Sequence, residues 1–357
     1  MKKSLLALAV LGAFAGAASA QSSVTLFGVV DLNARVVKND GFDKRLSLSQ
    51  DGIASSRIGF RGIEDLGGGL KAGFWLEGGV NADTGTTNAK FFNRRSTVSL
   101  ISNAGELRLG RDYTPTFWNT TVFDAFGTNG IGSSLNTQRF VHVRQDNAIQ
   151  YFLPSNLGGF YGQFMAAAGE STVENGAPTS GDKAGRYLGG RLGFAAGPFD
   201  ISGSVARETY GGGAGGFGAA PGWSGDSLTV YNLGGAWDFG AFKLMGYAQR
   251  AKQGSARETT GSISGLVRMG QSEIHVGYDR SKYDSSGPDY TTWQAKATYQ
   301  YNLSKRTAMY GTVSFLSNSS GSGIMGLPGG FGASTAAAQI DAGGKSKGAE
   351  FGVRHIF

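Results

Sequence analysis

Residues 349–357, AEFGVRHIF, have the alternating pattern of a β-strand that separates lipid from water. Ala349, Phe351 and Val353 fall on one face of the strand, and Glu350 falls on the other. The stretch ends the chain on an aromatic residue. We therefore expect this strand to close a barrel.

The first twenty residues have the features of a secretory signal peptide. Lys2 and Lys3 form a basic start, residues 5–16 are mostly apolar, and residues 18–20 (ASA) form a small-residue cleavage site. The apolar run is too short to span ~30 Å of hydrocarbon. We expect residues 1–20 to be removed, so that the mature chain begins at Gln21 and forms a single domain, the barrel, over residues 21–357.

Composition agrees with membrane insertion through strands. Beyond residue 20 we find no apolar window long enough for a helical span, and a closed barrel is the other structure that satisfies the backbone in lipid. The chain has 60 Gly, 23 Phe, 13 Tyr and no Cys, and its mean hydropathy is −0.17. Barrel strands alternate apolar and polar residues, so the mean hydropathy of such a chain stays near zero although its strands cross a membrane.

The basic charge is spread along the chain rather than gathered in one tail. The full chain has a formal charge of +7, and losing Lys2 and Lys3 leaves 31 − 26 = +5. Clustered basic residues would suggest nucleic acid. The scattered arrangement instead predicts a basic lumen and no nucleic-acid partner.

The spacing of turn signals predicts sixteen antiparallel strands joined by alternating short and long connections. Residues 113–143 form one long connection, and glycine- and serine-rich stretches at 170–184, 211–226 and 318–347 form others. The predicted strands are 24–37, 53–63, 70–80, 91–101, 106–112, 144–153, 160–169, 185–196, 199–210, 227–239, 241–252, 261–269, 272–282, 291–302, 306–317 and 348–357.

Arginines at the ends of several predicted strands are candidates for a pore constriction. Arg57 and Arg61 share one face of a strand, Arg94 and Arg95 begin another, and Arg144 follows the long connection. An Arg on the lipid face at mid-membrane costs ~2–4 kcal/mol. We therefore expect most of these side chains to face the lumen.

No arrangement in the sequence favours catalysis or metal binding. His142, His275 and His355 lie far apart on different elements. The glycine-rich stretch 211–216 lacks the Gly-Lys-Ser/Thr of a phosphate loop. We expect no catalytic residues, no metal and no cofactor.

Six motifs taken in order resemble the general porins of Gram-negative outer membranes, and most nearly the β-proteobacterial anion-selective ones. The motifs are SVTLFGVVD (23–31), SRIGFRGIEDLGGGLKA (56–72), RRSTVSL (94–100), LGR (109–111), LSKRT (303–307) and GVRHIF (352–357). The resemblance implies an all-β, sixteen-stranded transmembrane barrel, a homotrimer, and a third loop, at 113–143, folded into the pore.

Carried over by motif, the resemblance implies a basic wall at the constriction that contains Arg57, Arg94 and Arg144. Strand alternation favours Arg95 instead of Arg94 for the lumen, and a bulge or a subunit-facing wall could reconcile the two. Arg61 completes the basic set.

On the acidic side, Asp124 is the best match for the acids that the family's third loop sets across from the basic wall. Glu77, on an inward face, is a further candidate acid. The Pro-Glu-Phe-Gly-Gly sequence of many relatives is absent.

The function expected from this resemblance is passive diffusion of small hydrophilic solutes and ions, with anions preferred. Phe357 resembles the signal read by the barrel-assembly machinery, and outer-membrane lipids and lipopolysaccharide are expected partners. Two alternatives remain. A substrate-specific channel is favoured by Phe117 and Trp118 in the third loop, and an outer-membrane barrel enzyme is the less favoured alternative.

Overall fold

The fold is known from a computed structural model that describes residues 23–169, 173–174, 177–178, 185–209, 227–284, 289–319, 323, 325–329, 333–334, 337–338 and 340–357. The predicted signal peptide, its cleavage site and the glycine-rich stretch 211–216 lie outside these residues. Within them, no helix is long and apolar enough to cross a membrane.

Sixteen antiparallel strands form a closed barrel in the described part of the chain. The strands are β1 (Ser23–Asn39), β2 (Arg45–Gln50 and Arg57–Gly67), β3 (Leu70–Asn81), β4 (Arg95–Ser102), β5 (Gly105–Tyr113), β6 (Arg144–Phe152), β7 (Phe160–Ala167), β8 (Tyr187–Ala196), β9 (Phe199–Thr209), β10 (Ser227–Asp238), β11 (Phe242–Gln253), β12 (Ala256–Met269), β13 (Ser272–Asp284), β14 (Tyr290–Asn302), β15 (Thr307–Asn318) and β16 (Lys345–Ile356). Two-residue strands lie in the connections at Thr86–Thr87, Val173–Glu174, Ala177–Pro178, Ala333–Ser334 and Ala337–Ala338.

The barrel closes through the first strand. β1 pairs with β16 along one edge, with Val29 opposite Ile356, and with β2 along the other, with Ser23 opposite Ile63. The predicted sixteen-stranded barrel is therefore confirmed. The terminal sequence motif forms the closing strand.

Side chains alternate between the outer and inner faces of the wall. On β10, Tyr231 and Leu233 are exposed on the outside, whereas Asn232 between them is buried on the inside. This period of two is what a strand between lipid and an aqueous interior requires.

The second strand differs from its prediction because it is interrupted. It was expected at 53–63, but residues 51–56 leave the ladder between two strand segments. Asp51 adopts a left-handed backbone (φ 62°), and the Asp31 carboxylate on β1 accepts the backbone N–H groups of Ile53 and Ala54 at 2.9 and 2.8 Å. These contacts hold the interruption against the inner wall.

Two other strands begin at least four residues away from their predicted starts. β12 begins at Ala256 rather than at 261, because Gly254 (φ 57°) allows a tight turn where a longer connection was expected. β4 begins at Arg95 rather than at 91, since the residues before it fold back on β3, where Asn93 accepts the Gly79 N–H at 2.7 Å.

The third connection, residues 114–143, folds into the barrel as the resemblance implied. It contains helix α1 (Pro115–Val122) and two 3-10 turns, Gly130–Gly132 and Ser134–Thr137. Thr114 caps α1 by accepting the Phe117 N–H at 3.3 Å, and proline at the first helical position is pre-shaped for a helix start. The helix packs on β8, β9 and β10, and the 3-10 turns pack on β13–β16.

Candidate functional site: an arginine-lined cavity inside the barrel

A cavity of about 840 Å³ lies inside the barrel between the third connection and the strands β2–β8. The third connection fills the opposite side of the lumen, so this cavity is bounded by the strands that carry the predicted arginines. Its charged lining residues are Arg57, Glu77, Arg94, Arg95, Arg108, Asp112, Arg144 and Arg191.

Glu77 on β3 is the acid around which two of these arginines gather. Its Oε1 lies 2.5 Å from Arg94 Nε and 3.6 Å from Arg57 Nε. The Trp75 indole N–H, two residues earlier on the same inner face, donates to Glu77 Oε2 at 3.0 Å. Glu77 therefore orients guanidinium groups as well as carrying charge.

Arg94 and Arg95 both line the cavity, although they are adjacent in sequence. Arg94 precedes β4, so strand alternation does not apply to it, and its Nη2 donates to the Tyr113 hydroxyl at 2.7 Å. Arg95 is the first residue of β4 and lies 3.6 Å from the Asp112 carboxylate. Arg94 and Arg95, which the sequence offered as alternatives for the lumen, therefore both line the cavity.

Arg144 lies where the third connection returns to the barrel wall. Its Nη2 donates to the Tyr113 hydroxyl at 2.9 Å, and its guanidinium stacks 4.5 Å above the Tyr113 ring. Because Tyr113 receives hydrogen bonds from both Arg94 and Arg144, it links the two ends of the third connection. Arg144 lines the cavity together with Tyr113.

Sequence reasoning missed three charged residues of this cavity. Arg108 on β5 pairs with Asp112 at 2.6 Å, and it also pairs with Glu106 at 2.8 Å. Arg191 on β8 donates from Nε to Asn119 Oδ1 of α1 at 2.7 Å. The alternation of inward and outward residues along β5 could have indicated that Arg108 and Asp112 face the lumen. No local sequence pattern indicates that Arg191 contacts helix α1.

Arg61 faces the lumen but lies outside the main cavity, which corrects its placement in the constriction. It lines an adjoining cavity of about 420 Å³ with Trp75, Arg95 and Arg108. Its guanidinium lies 5.1 Å from the Trp75 ring and 5.4 Å from the Phe27 ring. Arg61 follows Arg57 by four residues on the same face of β2, so it lies closer to the end of the barrel that carries the short turns.

Asp124 is the second correction, because it does not face the cavity. Its carboxylate is fully buried, lies 3.5 Å from Lys296 Nζ on β14, and accepts the backbone N–H groups of Phe126 and Ser134. Lys296 also pairs with Asp279 at 2.8 Å. Asp124 therefore anchors the third connection to the barrel instead of setting an acid across from the arginines.

Asp51 lies in the interruption of β2, four residues before Ser55, which lines the cavity. The Ser56 backbone N–H donates to the Asp51 carboxylate at 2.6 Å. This carboxyl is tied to the backbone of its own segment.

Positive charge dominates the cavity by number and by exposure. Six arginines and two acids line it, which gives 6 − 2 = +4. The Arg57 side chain is 28% exposed, whereas Glu77 and Asp112 are 10% and 5% exposed, respectively. Arg57 is thus the more exposed member of its pair with Glu77. A cleft lined by one sign of charge raises the local concentration of opposite ions.

The other ionisable candidates are dispersed. His142 contacts Glu208, His275 Nδ1 donates to the Ala125 carbonyl at 2.7 Å, and His355 contacts Thr307. Over the described residues, no group of three or more His, Cys, Asp and Glu side chains is placed to hold a metal ion.

A closed antiparallel barrel with an apolar outer face, a polar inner face and a charged central cavity defines a membrane-spanning channel. Residues 7–321 match the family model described as Gram-negative porin, and the chain belongs to that family. It is an outer-membrane porin, through which small hydrophilic solutes and ions diffuse passively across the Gram-negative outer membrane.

Individual relatives agree with this assignment. The chain is 40% identical to outer membrane porin protein 32 of Delftia acidovorans over 100% of both chains. It is 28% identical to the major outer membrane protein P.IB of Neisseria gonorrhoeae, covering 90% of this chain and 95% of that protein. Among solved structures, the anion-selective porin from Comamonas acidovorans superposes with a TM-score of 0.81 at 36% identity, covering 94% of this chain and 100% of that one.

Proposed function

We propose that this porin is anion-selective and that the cavity arginines set the preference. The observation that carries the proposal is the lining of six arginines against two covered acids. The anion-selective porin from Comamonas acidovorans, which has a similar fold, supports it. Rings or ladders of Arg favour anions over cations in wide aqueous pores.

Within the proposed filter the residues have different roles. Arg57, Arg95 and Arg144 face the passing ion, and Glu77 holds Arg94 in position. Arg61 extends the basic path into the adjoining cavity toward the turn end. Transport requires no cofactor and no bond-making step, so we propose no enzymatic role.

Planar-bilayer recording of the purified protein in a KCl gradient tests this proposal. We expect ohmic channels and a reversal potential displaced toward the chloride equilibrium potential, more strongly at low than at high salt because screening shortens the reach of the arginines. A reversal potential at zero or on the potassium side would contradict the proposal.

A substrate-specific channel is the second candidate, and an aromatic cluster favours it. Tyr113 and Phe117 stack at 5.2 Å, and Trp118 lies 5.5 Å from the Tyr113 ring. All three line the cavity. Saturable block of chloride current by one class of aromatic or carboxylate solute would favour this candidate, whereas block that rises linearly with concentration would favour general diffusion.

We propose that the protein assembles as a homotrimer through the wall β1–β5. This wall exposes large apolar residues, including Leu26, Phe60, Phe74 and Val98. Gly28 on β1 does not contribute to this exposed surface, because it is covered: a Cβ there would lie 2.3 Å from the Phe357 ring. Migration as a heat-sensitive trimer is expected, and recovery of monomers alone after cross-linking in native membranes would contradict it.

We further propose that Phe357 is read by the barrel-assembly machinery. The Phe357 N–H donates to the Gly28 carbonyl at 3.1 Å, and Gly28 donates back at 3.0 Å. Deleting Phe357 should reduce the assembled barrel more than it reduces synthesis. Undiminished surface-exposed protein from the deletion would contradict this role.

For the mature chain we propose a signal peptide over residues 1–20 and the porin barrel over residues 21–357. N-terminal sequencing of protein from outer membranes should begin at Gln21. We also propose lipids and lipopolysaccharide of the outer membrane as partners.

A further inference from the structure

The adjoining cavity of about 420 Å³, which lies inside the barrel toward the end with the short turns, combines arginines with an apolar floor. We call it the turn-side pocket. Its charged lining residues are Arg61, Arg95, Arg108 and Glu106, which gives 3 − 1 = +2. Positive charge beside an apolar surface is complementary to an anion that carries an apolar group.

The floor of the turn-side pocket is formed by Ile63 on β2, Gly73 on β3 and Ile101 on β4. Ile63 lies directly opposite Gly73 in the strand register. A Cβ on Gly73 would lie 3.6 Å from Ile101 Cδ1 and 3.9 Å from Ile63 Cγ1, so the two isoleucines flank the space above the glycine. Ile63 is 55% exposed, although it shares the lumen-facing side of β2 with Arg61. A ligand that covers this apolar surface is stabilised by its removal from water.

Arg61 is the arginine of this pocket whose charge is available to a ligand. Its guanidinium lies 5.1 Å from the centre of the Trp75 ring, and within the described part of the chain its side chain makes no ion pair and no hydrogen bond. Arg108, by contrast, pairs with Glu106 at 2.8 Å and with Asp112 at 2.6 Å. The aromatic contact therefore holds Arg61 in place and leaves its N–H groups free for a carboxylate, which a guanidinium binds through two parallel hydrogen bonds.

The turn-side pocket is separated from the main cavity along the pore. Arg61 follows Arg57 by four residues on β2, and Gly73 precedes Glu77 by four residues on β3. Four residues of a strand span about 13 Å. Charges in contact with water are largely screened beyond about 8 Å at physiological ionic strength. A solute over Gly73 is therefore bound by the residues of the pocket itself and not by Arg57.

We propose that the turn-side pocket binds small aromatic monocarboxylates, with the carboxylate on Arg61 and the ring on the floor over Gly73. The missing side chain at Gly73 leaves room for a flat ring between the two isoleucines, and one unpaired guanidinium suits one carboxylate. An aliphatic acid such as acetate would contact Arg61 alone, and an uncharged ring would contact the floor alone. This inference rests on the proposed function, because it requires that anions enter the lumen.

Block of the chloride current by benzoate, recorded from the assembled full-length barrel in planar bilayers, tests the proposal. Benzoate should reduce the current saturably. Half block by acetate, which lacks the ring, should require a concentration at least ten-fold higher, and benzamide, which lacks the charge, should give no block.

Three variants locate the site. R61Q, which removes the guanidinium, and G73V, which fills the floor without changing the charge, should each raise the half-blocking concentration of benzoate at least five-fold. I63T replaces an exposed apolar side chain by a hydroxyl of similar shape, and should raise it at least three-fold even if G73V does not assemble. The control K243Q removes a lysine from the inner face of β11 near the same end of the barrel, and should be blocked within two-fold of the parent.

The proposal is overturned if benzoate blocks either R61Q or I63T within two-fold of the parent, because the carboxylate contact or the apolar floor would then play no part. Equal block by acetate and benzoate, or no block of the parent, would overturn it as well. The reversal potential of the parent in a KCl gradient is a separate reading. A parent that prefers chloride but is not blocked by benzoate contradicts the pocket alone, whereas a blocked parent that does not prefer chloride contradicts the proposed selectivity alone.

Discussion

The two sides of the barrel interior use inward polar residues in opposite ways. The arginine wall, defined by Arg57, Arg94, Arg95, Arg108 and Arg144, borders open space. The loop wall, formed by the inner faces of β8–β16, is covered by the third connection. On the arginine wall bases outnumber acids, whereas on the loop wall Lys296 contacts two acids, Asp124 and Asp279, and all three side chains are buried.

The contrast is clearest between two cationic groups. The Lys296 side chain is 0% exposed and contacts two carboxylates, Asp124 and Asp279. Arg57 is 28% exposed and shares its acid, Glu77, with Arg94. The buried Lys296 and its two carboxylates hold the third connection against the barrel, and we propose that the more exposed Arg57 acts on ions in the pore.

The largest effect is expected from K296M on the loop wall. Removing the lysine leaves Asp124 and Asp279 buried without their partner, and breaking such a pair costs ~3–5 kcal/mol. The third connection should loosen, giving a lower thermal transition and noisy, enlarged conductance. The matched variant R57M on the arginine wall should keep the parent's thermal transition. An unchanged transition and quiet channels in K296M would remove the distinction between the walls.

An intermediate effect is expected from E258Q, also on the loop wall. The Glu258 carboxylate accepts the backbone N–H groups of Arg139 and Phe140 at 2.8 and 2.7 Å. An amide offers one acceptor oxygen, so one buried donor is left unpaired at a cost of ~1–3 kcal/mol. Thermal unfolding should shift downward, and D238N, at the exposed Asp238–Arg268 pair, should leave it unchanged. Equal shifts in both variants would contradict this ranking.

The smallest effect is expected from E77Q on the arginine wall. Loss of this acid raises the charge of the cavity lining by one, but also loosens Arg94, which it holds at 2.5 Å. We expect a modest increase in anion preference, measured as reversal potential in a KCl gradient, with little change in stability. A shift toward cations would show that orienting Arg94 matters more than the charge of Glu77.

Most of the barrel was predictable because strand alternation has a period of two and the connections differ in length. The same rule located Arg57 and Glu77, and the length of residues 113–143 indicated the inserted connection. The interruption at residues 51–56 was not predictable, since it depends on Asp31, a residue on a different strand.

The side chains that the sequence patterns misplaced or missed are those whose positions depend on residues far away in the chain. Asp124 had the residue type of a pore acid, but its environment is set by Lys296, 172 positions away. Arg191 contacts Asn119 across 72 positions. Local patterns therefore predict which face a residue occupies, whereas long-range pairing decides whether its charge meets water.

The reversal potential of R57S/R144S in a KCl gradient tests the central claim most directly, with K345S/K347S as the control that removes two lysines from the start of β16. We expect the arginine variant to shift toward the potassium equilibrium potential, most strongly at low salt, with conductance preserved or raised because the pore widens. The lysine variant should shift much less. An equal shift in both variants, or none in R57S/R144S, would contradict the assignment of the arginine wall as the selectivity filter.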